Sequence, residues 1–407
     1  MFKKSLIIIM CGCLLFGNAG HVFADNTDDE SVDVQEIIQT CSQCVENELE
    51  ISSKIAVAYD RTSGRVIWGK DENKRSAMAS TTKIMTAIVT LENGDLGDVV
   101  KVSSKSAWTG GSSLKLKTDD EVKLEDLLYG LMLKSGNDAA VAIAEHVGGS
   151  VEGFAEMMNK KAAELGLTDT HFVTPHGLDD PEHYTTAKEL AIITDYAMKN
   201  KKFAQIVSTK EHTVCINGYT RQISNTNELL GILDGVNGVK TGFTNNAGRC
   251  LVTSINRNGW EIIVVVLRAD TKKIRTKDSV KIIEYIYKNY KQINIKQTID
   301  DKFKQWCNMN TDRIVVNKGR NNNMNLKITD LNSTLIPVKS TDVDRVDIDI
   351  TALFYFEAPV EKYSTVGTLK VLLNNEVIDI VQIYNNNEIQ KKNIGDYFKE
   401  FLLVLGA

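Results

Sequence analysis

Ser80-Thr-Thr-Lys-Ile-Met-Thr-Ala-Ile-Val-Thr-Leu-Glu-Asn93 is the stretch from which the rest of the chain is read. Ile84, Ala87, Ile88 and Leu91 recur at helical spacing behind a Ser/Thr start, and Asn93-Gly94 supplies a stop, so the spacing predicts a buried helix opening at Ser80. Upstream, Ile55–Asp60 and Arg65–Gly69 are apolar runs of strand length around a turn at Ser63-Gly64, the pattern of a hairpin. Downstream, Leu124–Leu133 and Asp138–Val147 predict two helices separated by Lys134-Ser-Gly-Asn137, and Val151–Leu165 predicts another. Val236–Thr241, Cys250–Ile255 and Ile262–Arg268 are β-rich, and Ser279–Tyr290 is again helical. Strands at both ends with helices between them predict one α+β domain over residues 51–291, its sheet joining distant parts of the chain.

Beyond Lys291 the text changes to Asn-rich turns and short alternating runs, Val346–Ile350, Ala352–Phe356 and Leu369–Leu373, which predict a separate all-β domain over 292–390. In the last segment, 391–407, Ile394, Tyr397, Phe398, Phe401, Leu402 and Leu405 fall on one helical stripe, with Asp396, Lys399 and Glu400 facing away. At 1.5 Å per residue such a helix is only ~25 Å long, too short to span a bilayer. It is of the kind that lies in a membrane interface; the competing reading docks the stripe on the β domain as core.

The first residues differ from all of this. Lys3 and Lys4, an apolar run from Leu6 to Phe16, and Val22-Phe-Ala24 predict a signal peptide over 1–24, and hence a protein working outside the cytoplasm. Residues 25–50 carry nine acids and no Lys or Arg, although the whole chain of 407 residues has a formal charge of only −5. We read this segment as a solvated acidic leader, and the near-neutral remainder gives no nucleic-acid surface. Cys11 and Cys13 leave with the signal. Cys41, Cys44, Cys215, Cys250 and Cys307 are odd in number and scattered, so no disulfide framework is indicated. Cys41-Ser-Gln-Cys44 has no second Cys or His pair at metal spacing, and no metal or other cofactor is expected.

Three short patterns carry chemistry: Ser80-Thr-Thr-Lys83, Ser135-Gly-Asn137 and Lys240-Thr-Gly242. Each is weak alone, for Ser112-Ser-Leu-Lys115 and Ser254-Ile-Asn256 repeat two of them. Context separates them: only Ser80 opens an apolar-periodic helix, only Ser135 lies in a tight turn between helices, and only Lys240 follows a β-run. Serine needs a base to become a nucleophile. Residues at i and i+3 share a helix face, so Lys83 can reach Ser80, and burial near a helix N-terminus disfavours an ammonium there. On this reading Ser135 relays a proton to the leaving amine and Asn137 orients Lys83 and a substrate amide. Lys240 and Thr241 meet a terminal carboxylate, Gly242 permits close approach, and the N–H groups of Ser80 and Phe243 form an oxyanion hole.

At these residues the sequence resembles the low-molecular-weight penicillin-binding proteins, the D-alanyl-D-alanine carboxypeptidase family of serine peptidases. The likeness takes in Thr109-Gly-Gly-Ser-Ser113, Leu127-Leu-Tyr-Gly-Leu-Met-Leu133, Ser135-Gly-Asn-Asp-Ala-Ala140, Thr174-Pro-His-Gly-Leu-Asp179 with Tyr184, and Gly238-Val-Lys-Thr-Gly242. The resemblance implies a penicillin-binding, serine β-lactamase-like domain, an antiparallel sheet flanked by helices, followed by a β-sandwich to which Ala358-Pro-Val and Val366-Gly-Thr-Leu-Lys370 are similar. It implies Ser80 as the acylated serine, Lys83 as the base, and Ser135, Asn137 and Lys240 completing the site, with peptidoglycan stem peptides and β-lactam antibiotics as ligands. Arg275 resembles a family arginine near the substrate carboxylate. Some members have His after Lys-Thr-Gly, where Phe243 stands here.

Three rival readings have less behind them. A β-lactamase lacks its second base here, since no Glu-x-x-Leu-Asn string occurs. A metallopeptidase built on His171, His176, Asp179 and His183 lacks His-Glu-x-x-His. A non-catalytic penicillin sensor has no need of the complete set of reactive residues.

Overall fold

The computed structural model describes residues 32–43, 48–331 and 333–405. The predicted signal peptide, the first part of the acidic leader and Cys44 lie outside the described residues.

A five-stranded antiparallel sheet organises the larger part. Strands β1 (Ile55–Asp60) and β2 (Arg65–Lys70) form the hairpin, turning through Gly64 at φ +69°. Strands β3 (Val236–Thr244), β4 (Gly248–Arg257) and β5 (Trp260–Ala269) come from much later in the chain, and the spatial order is β2-β1-β5-β4-β3. β1 pairs directly with β5, Ala58 opposite Val264, so the two ends of the domain close on each other.

Strands β1 and β5 are apolar at most positions because both faces are covered. Ile55, Val57 and Tyr59 of β1 and Ile263, Val265 and Leu267 of β5 point into one core. Ala56, Ala58, Ile262, Val264 and Val266 point into the other. The first core is filled by the helical layer, in which α2 (Lys83–Asn93), α3 (Leu124–Leu133) and α4 (Asn137–Gly148) contribute Ile84, Ile88, Leu127, Leu131 and Ile143. The second is closed by α5 (Lys272–Asn289), through Val280, Ile283 and Ile286.

It is also closed by residues that we read as a solvated leader. Val34–Gln43 is a helix, α1, whose Val34, Ile37 and Cys41, spaced i, i+3, i+7, are buried in that core, with Cys41 Sγ 4.0 Å from the Lys277 carbonyl oxygen of α5. The one acid of this helix, Glu36, is exposed, as is Asp33 just before it. Net charge concealed a short amphipathic stripe.

The C-terminal part starts with a strand, Tyr290–Asn294, paired with Leu335–Lys339. Its main sheet has four antiparallel strands, with Thr365–Leu373 and Glu376–Asn385 in the middle. It is not purely β. Helix α6 (Lys296–Asn310) lies against it, burying Ile299 fully and Phe303 in part, in a core with Val366, Leu369 and Ile383. The terminal helix α7 (Ile394–Leu405) buries none of its residues, so its stripe is not core: Phe398 is 61% exposed and Phe401 59%. Its base is held by an ion pair between Arg320 and Asp396 at 2.9 Å.

Candidate active site

Ser80 lies on a single 3₁₀ turn, Ala79–Thr82, that leads into α2. The turn is entered through Ala79 at φ +49°, an unfavourable conformation for a residue with a Cβ. Two glycines accommodate it. A Cβ on Gly177 would lie 2.0 Å from the Ala79 carbonyl oxygen, and one on Gly242 would lie 3.1 Å from the Ser80 nitrogen. The first approach is closed to any residue with a side chain, and the second would be tighter than most Cβ contacts.

One turn on, Lys83 is wholly buried, and its Nζ has three partners: Ser80 Oγ at 2.8 Å, Asn137 Oδ1 at 2.7 Å and the His176 carbonyl oxygen at 2.8 Å. An ammonium donates to all three. A neutral amine donates to Asn137 and His176, and its lone pair is then left to accept the Ser80 hydroxyl proton. Burial, and secondarily the charge of Lys240, holds Lys83 well below the usual lysine range, while Asp138 pulls weakly the other way. The shift is toward the neutral amine, the form that can accept the Ser80 proton.

Asn137 is fixed at every polar group. Its N–H donates to the Ser112 carbonyl at 2.7 Å and its Nδ2 to the Gly110 carbonyl at 2.7 Å, leaving Oδ1 for Lys83. The following Asp138, fully buried, accepts from the N–H groups of Leu114 and Leu116 and from the Ser113 hydroxyl, and so ties the 110–116 loop to the start of α4. Ser135 stands in the turn before it at φ +60°, 6% exposed.

The third wall is β3, an edge strand of the sheet. Thr241, Gly242 and Phe243 line a cleft of about 460 Å³ together with Ser80, Ser135 and Arg275. Lys240, 1% exposed, donates to the Thr241 carbonyl at 3.0 Å, and its pKa is pushed down to about 7 by burial and by the charge of Arg275. Thr241 Oγ1 is 2.8 Å from Thr226 Oγ1, and the Phe243 ring is stacked under the Arg249 guanidinium at 3.6 Å from its centroid. Arg275 is paired with Glu228.

The structure thus brings Ser80, Lys83, Ser135, Asn137, Lys240, Thr241, Gly242, Phe243 and Arg275 to one cleft or its immediate wall. It adds groups that sequence reasoning missed. The His176 and Gly110 carbonyls are backbone atoms with no sequence signature. Ser112, whose Ser-x-x-Lys is set apart from that of Ser80, stands in a loop that lines the cleft. The histidines do other work than metal binding: His183 Nε2 meets Thr82 Oγ1 at 2.8 Å while its Nδ1 accepts from the Val173 N–H, and His171 Nδ1 meets the Glu182 carbonyl. Burial takes His183 down to about 4 and His176 to about 3, so both are neutral.

Comparison with known proteins gives a consistent set of likenesses. Residues 42–271 match the family model described as D-alanyl-D-alanine carboxypeptidase, a peptidase family. The chain is 32% identical over 359 residues to D-alanyl-D-alanine carboxypeptidase DacF of Bacillus subtilis, covering 87% of this chain and 90% of that one. It is 31% identical to DacC of Escherichia coli over 81% of this chain and 82% of the relative. Among solved structures it resembles penicillin binding protein 5 from Haemophilus influenzae, at 25% identity with a TM-score of 0.68, over 85% of this chain and all of that one. It also resembles the Streptomyces K15 DD-transpeptidase, at 34% identity with a TM-score of 0.57, over 59% of this chain and 98% of the other.

Proposed function

The chain belongs to the D-alanyl-D-alanine carboxypeptidase family of serine peptidases, and from that premise we propose how its own residues release the terminal D-alanine of peptidoglycan stem pentapeptides. The observation that carries the reading is the buried Lys83 amine, 2.8 Å from Ser80 Oγ and held on its other side by Asn137 and His176.

Lys83 takes the Ser80 proton as Oγ attacks the carbonyl carbon of the D-alanyl–D-alanine bond. The N–H groups of Ser80 and Phe243, brought together by the close approach at Gly242, receive the developing oxyanion. The proton passes, through Ser135, to the nitrogen of the departing D-alanine, and the C–N bond breaks to leave an ester on Ser80. Water, deprotonated by the same amine, then attacks the ester, and the proton returns to Ser80. Lys240, Thr241 and Arg275 hold the terminal carboxylate, which fixes the scissile bond over Ser80. A β-lactam presents a similar amide and carboxylate and acylates the same oxygen.

The domain division that fits this reading is a peptidase domain over 51–291, with the helix at Val34–Gln43 docked on it, and a β-rich domain from 292 to 390. Among the described residues no helix is long and apolar enough to cross a membrane. The exposed stripe on α7 supports peripheral attachment at the outer face of the membrane, consistent with an exported enzyme acting on cell-wall peptide. The test is D-alanine released from a stem pentapeptide against a tetrapeptide ending in one D-alanine. Release from the first alone is expected; no release from the pentapeptide would overturn the assignment.

A further inference from the structure

The short loop at 225–229 touches both sides of the carboxylate end of the cleft. Thr226 meets Thr241 through their hydroxyls. Two residues on, Glu228 Oε1 accepts from Arg275 Nη2 and from the hydroxyl of Thr276, the residue after Arg275. The pair is buried, at 4% side-chain exposure for Arg275 and 14% for Glu228, and both residues line the same cleft as Ser80. It is also incompletely satisfied. Glu228 Oε2 and Arg275 Nε are buried with no hydrogen-bond partner among the described residues.

A buried ion pair with spare donors and acceptors is a poor stabilising device, because desolvation of both charges offsets most of their attraction. It is a good positioning device. An arginine has several rotatable bonds, and without an anchor its planar fork must be ordered anew each time an anion binds. Anchoring one Nη to a carboxylate, itself held by Thr276, fixes the plane before substrate arrives. Glu228 is moreover the one acid among the described residues lining this cleft, whose other charged groups, Lys134, Arg249, Lys272 and Arg275, are all cations.

We propose that Glu228 is a positioning residue for the substrate's terminal carboxylate, acting through Arg275. The inference rests on the assignment of Arg275 to that carboxylate. Substrates or inhibitors bearing a free carboxylate depend on Glu228, and those with the carboxylate blocked do not.

The test compares acylation by benzylpenicillin with acylation by its methyl ester, resolving the binding constant from the acylation step, for wild type, Glu228→Gln and Arg275→Gln. Glu228→Gln is expected to lower the second-order acylation constant for the free acid roughly tenfold, the scale of one misaligned charge-assisted hydrogen bond, with the loss in binding. Acylation by the ester is expected to stay within about twofold of wild type, which also shows that the variant is folded. Glu228→Asp, which keeps the charge but withdraws it by a methylene, should fall between. Equal losses on acid and ester, or no loss on either, would overturn the positioning role. If Arg275→Gln fails to discriminate acid from ester, the carboxylate assignment itself falls; if Arg275→Gln discriminates and Glu228→Gln does not, the assignment stands and only this inference is lost.

Discussion

Lys83 and Lys240 are buried lysines whose positions have opposite requirements. Lys83 must be an amine to accept the Ser80 proton, and burial with Lys240 nearby favours that form. Lys83→Arg keeps a charge but cannot lose it, so acylation by fluorescent penicillin should slow by about 10² to 10⁴ while the protein remains folded. Near-normal acylation of that variant would move the base to Ser135 or a water. Lys240 must be charged to bind a carboxylate, and its ammonium is lost as pH rises through about 7. KM for a D-alanyl-D-alanine peptide should therefore climb above neutrality more steeply than kcat falls. The stability linkage runs the other way. Between about pH 7 and pH 10 the unfolded chain holds a proton on residue 240 that the folded chain has shed, so unfolding takes up a proton and stability rises with pH across that window. Lys240→Met should flatten the rise in Tm with pH; an unchanged slope would mean that Lys240 stays charged when folded. Ser80, Lys83, Ser135, Asn137 and Lys240 were legible at this scale because each lies in one of the three short patterns. Their partners at Gly110 and His176 were not, since a carbonyl oxygen is supplied by any residue.

Among the elements, strong periodicity marked what the structure has. Leu124–Leu133 agrees at both ends with its expected bounds, and Asp138–Val147 gains only Asn137 and Gly148. Strand β5 extends its predicted run by a few residues because both faces are covered and turn residues lie beyond. The elements that escaped are those with thin stripes in polar text. Val34–Gln43 buries Val34, Ile37 and Cys41 within an acid-rich segment, and α6 sets Ile299 and Phe303 into its core from a run rich in Lys, Gln, Asp and Asn. Such helices form because a neighbouring surface is there to receive them, which local sequence does not state. The docking has a measurable consequence. Ile37→Ala deletes a buried side chain and should cost about 3 kcal/mol, read as a lower midpoint in urea. An unchanged midpoint would mean that the helix at Val34–Gln43 contributes nothing to the core.

Over the whole molecule, the cleft sits where distant segments converge: the turn before α2, the turn between α3 and α4, the edge strand β3 and the start of α5. Long-range pairing of β1 with β5 fixes that convergence. The far end of the chain is built differently, for α7 presents Phe398, Phe401, Leu402 and Leu405 to solvent while Arg320 and Asp396 tether its base. If this face lies in a membrane interface, the full-length mature protein should sediment with lipid vesicles, and a chain ending at Lys391 should remain in the supernatant with full activity on a soluble peptide. Equal sedimentation of both would remove the membrane role from α7.

The central claim, that Ser80 is the acylated oxygen, is tested most directly by mapping the covalent adduct. The protein is treated with fluorescent penicillin, digested, and the labelled peptide identified by mass spectrometry, alongside Ser80→Ala and Ser112→Ala. The label is predicted on the peptide containing Ser80, absent from Ser80→Ala and retained in Ser112→Ala; a label on any other residue, or one that survives loss of Ser80, would contradict the account.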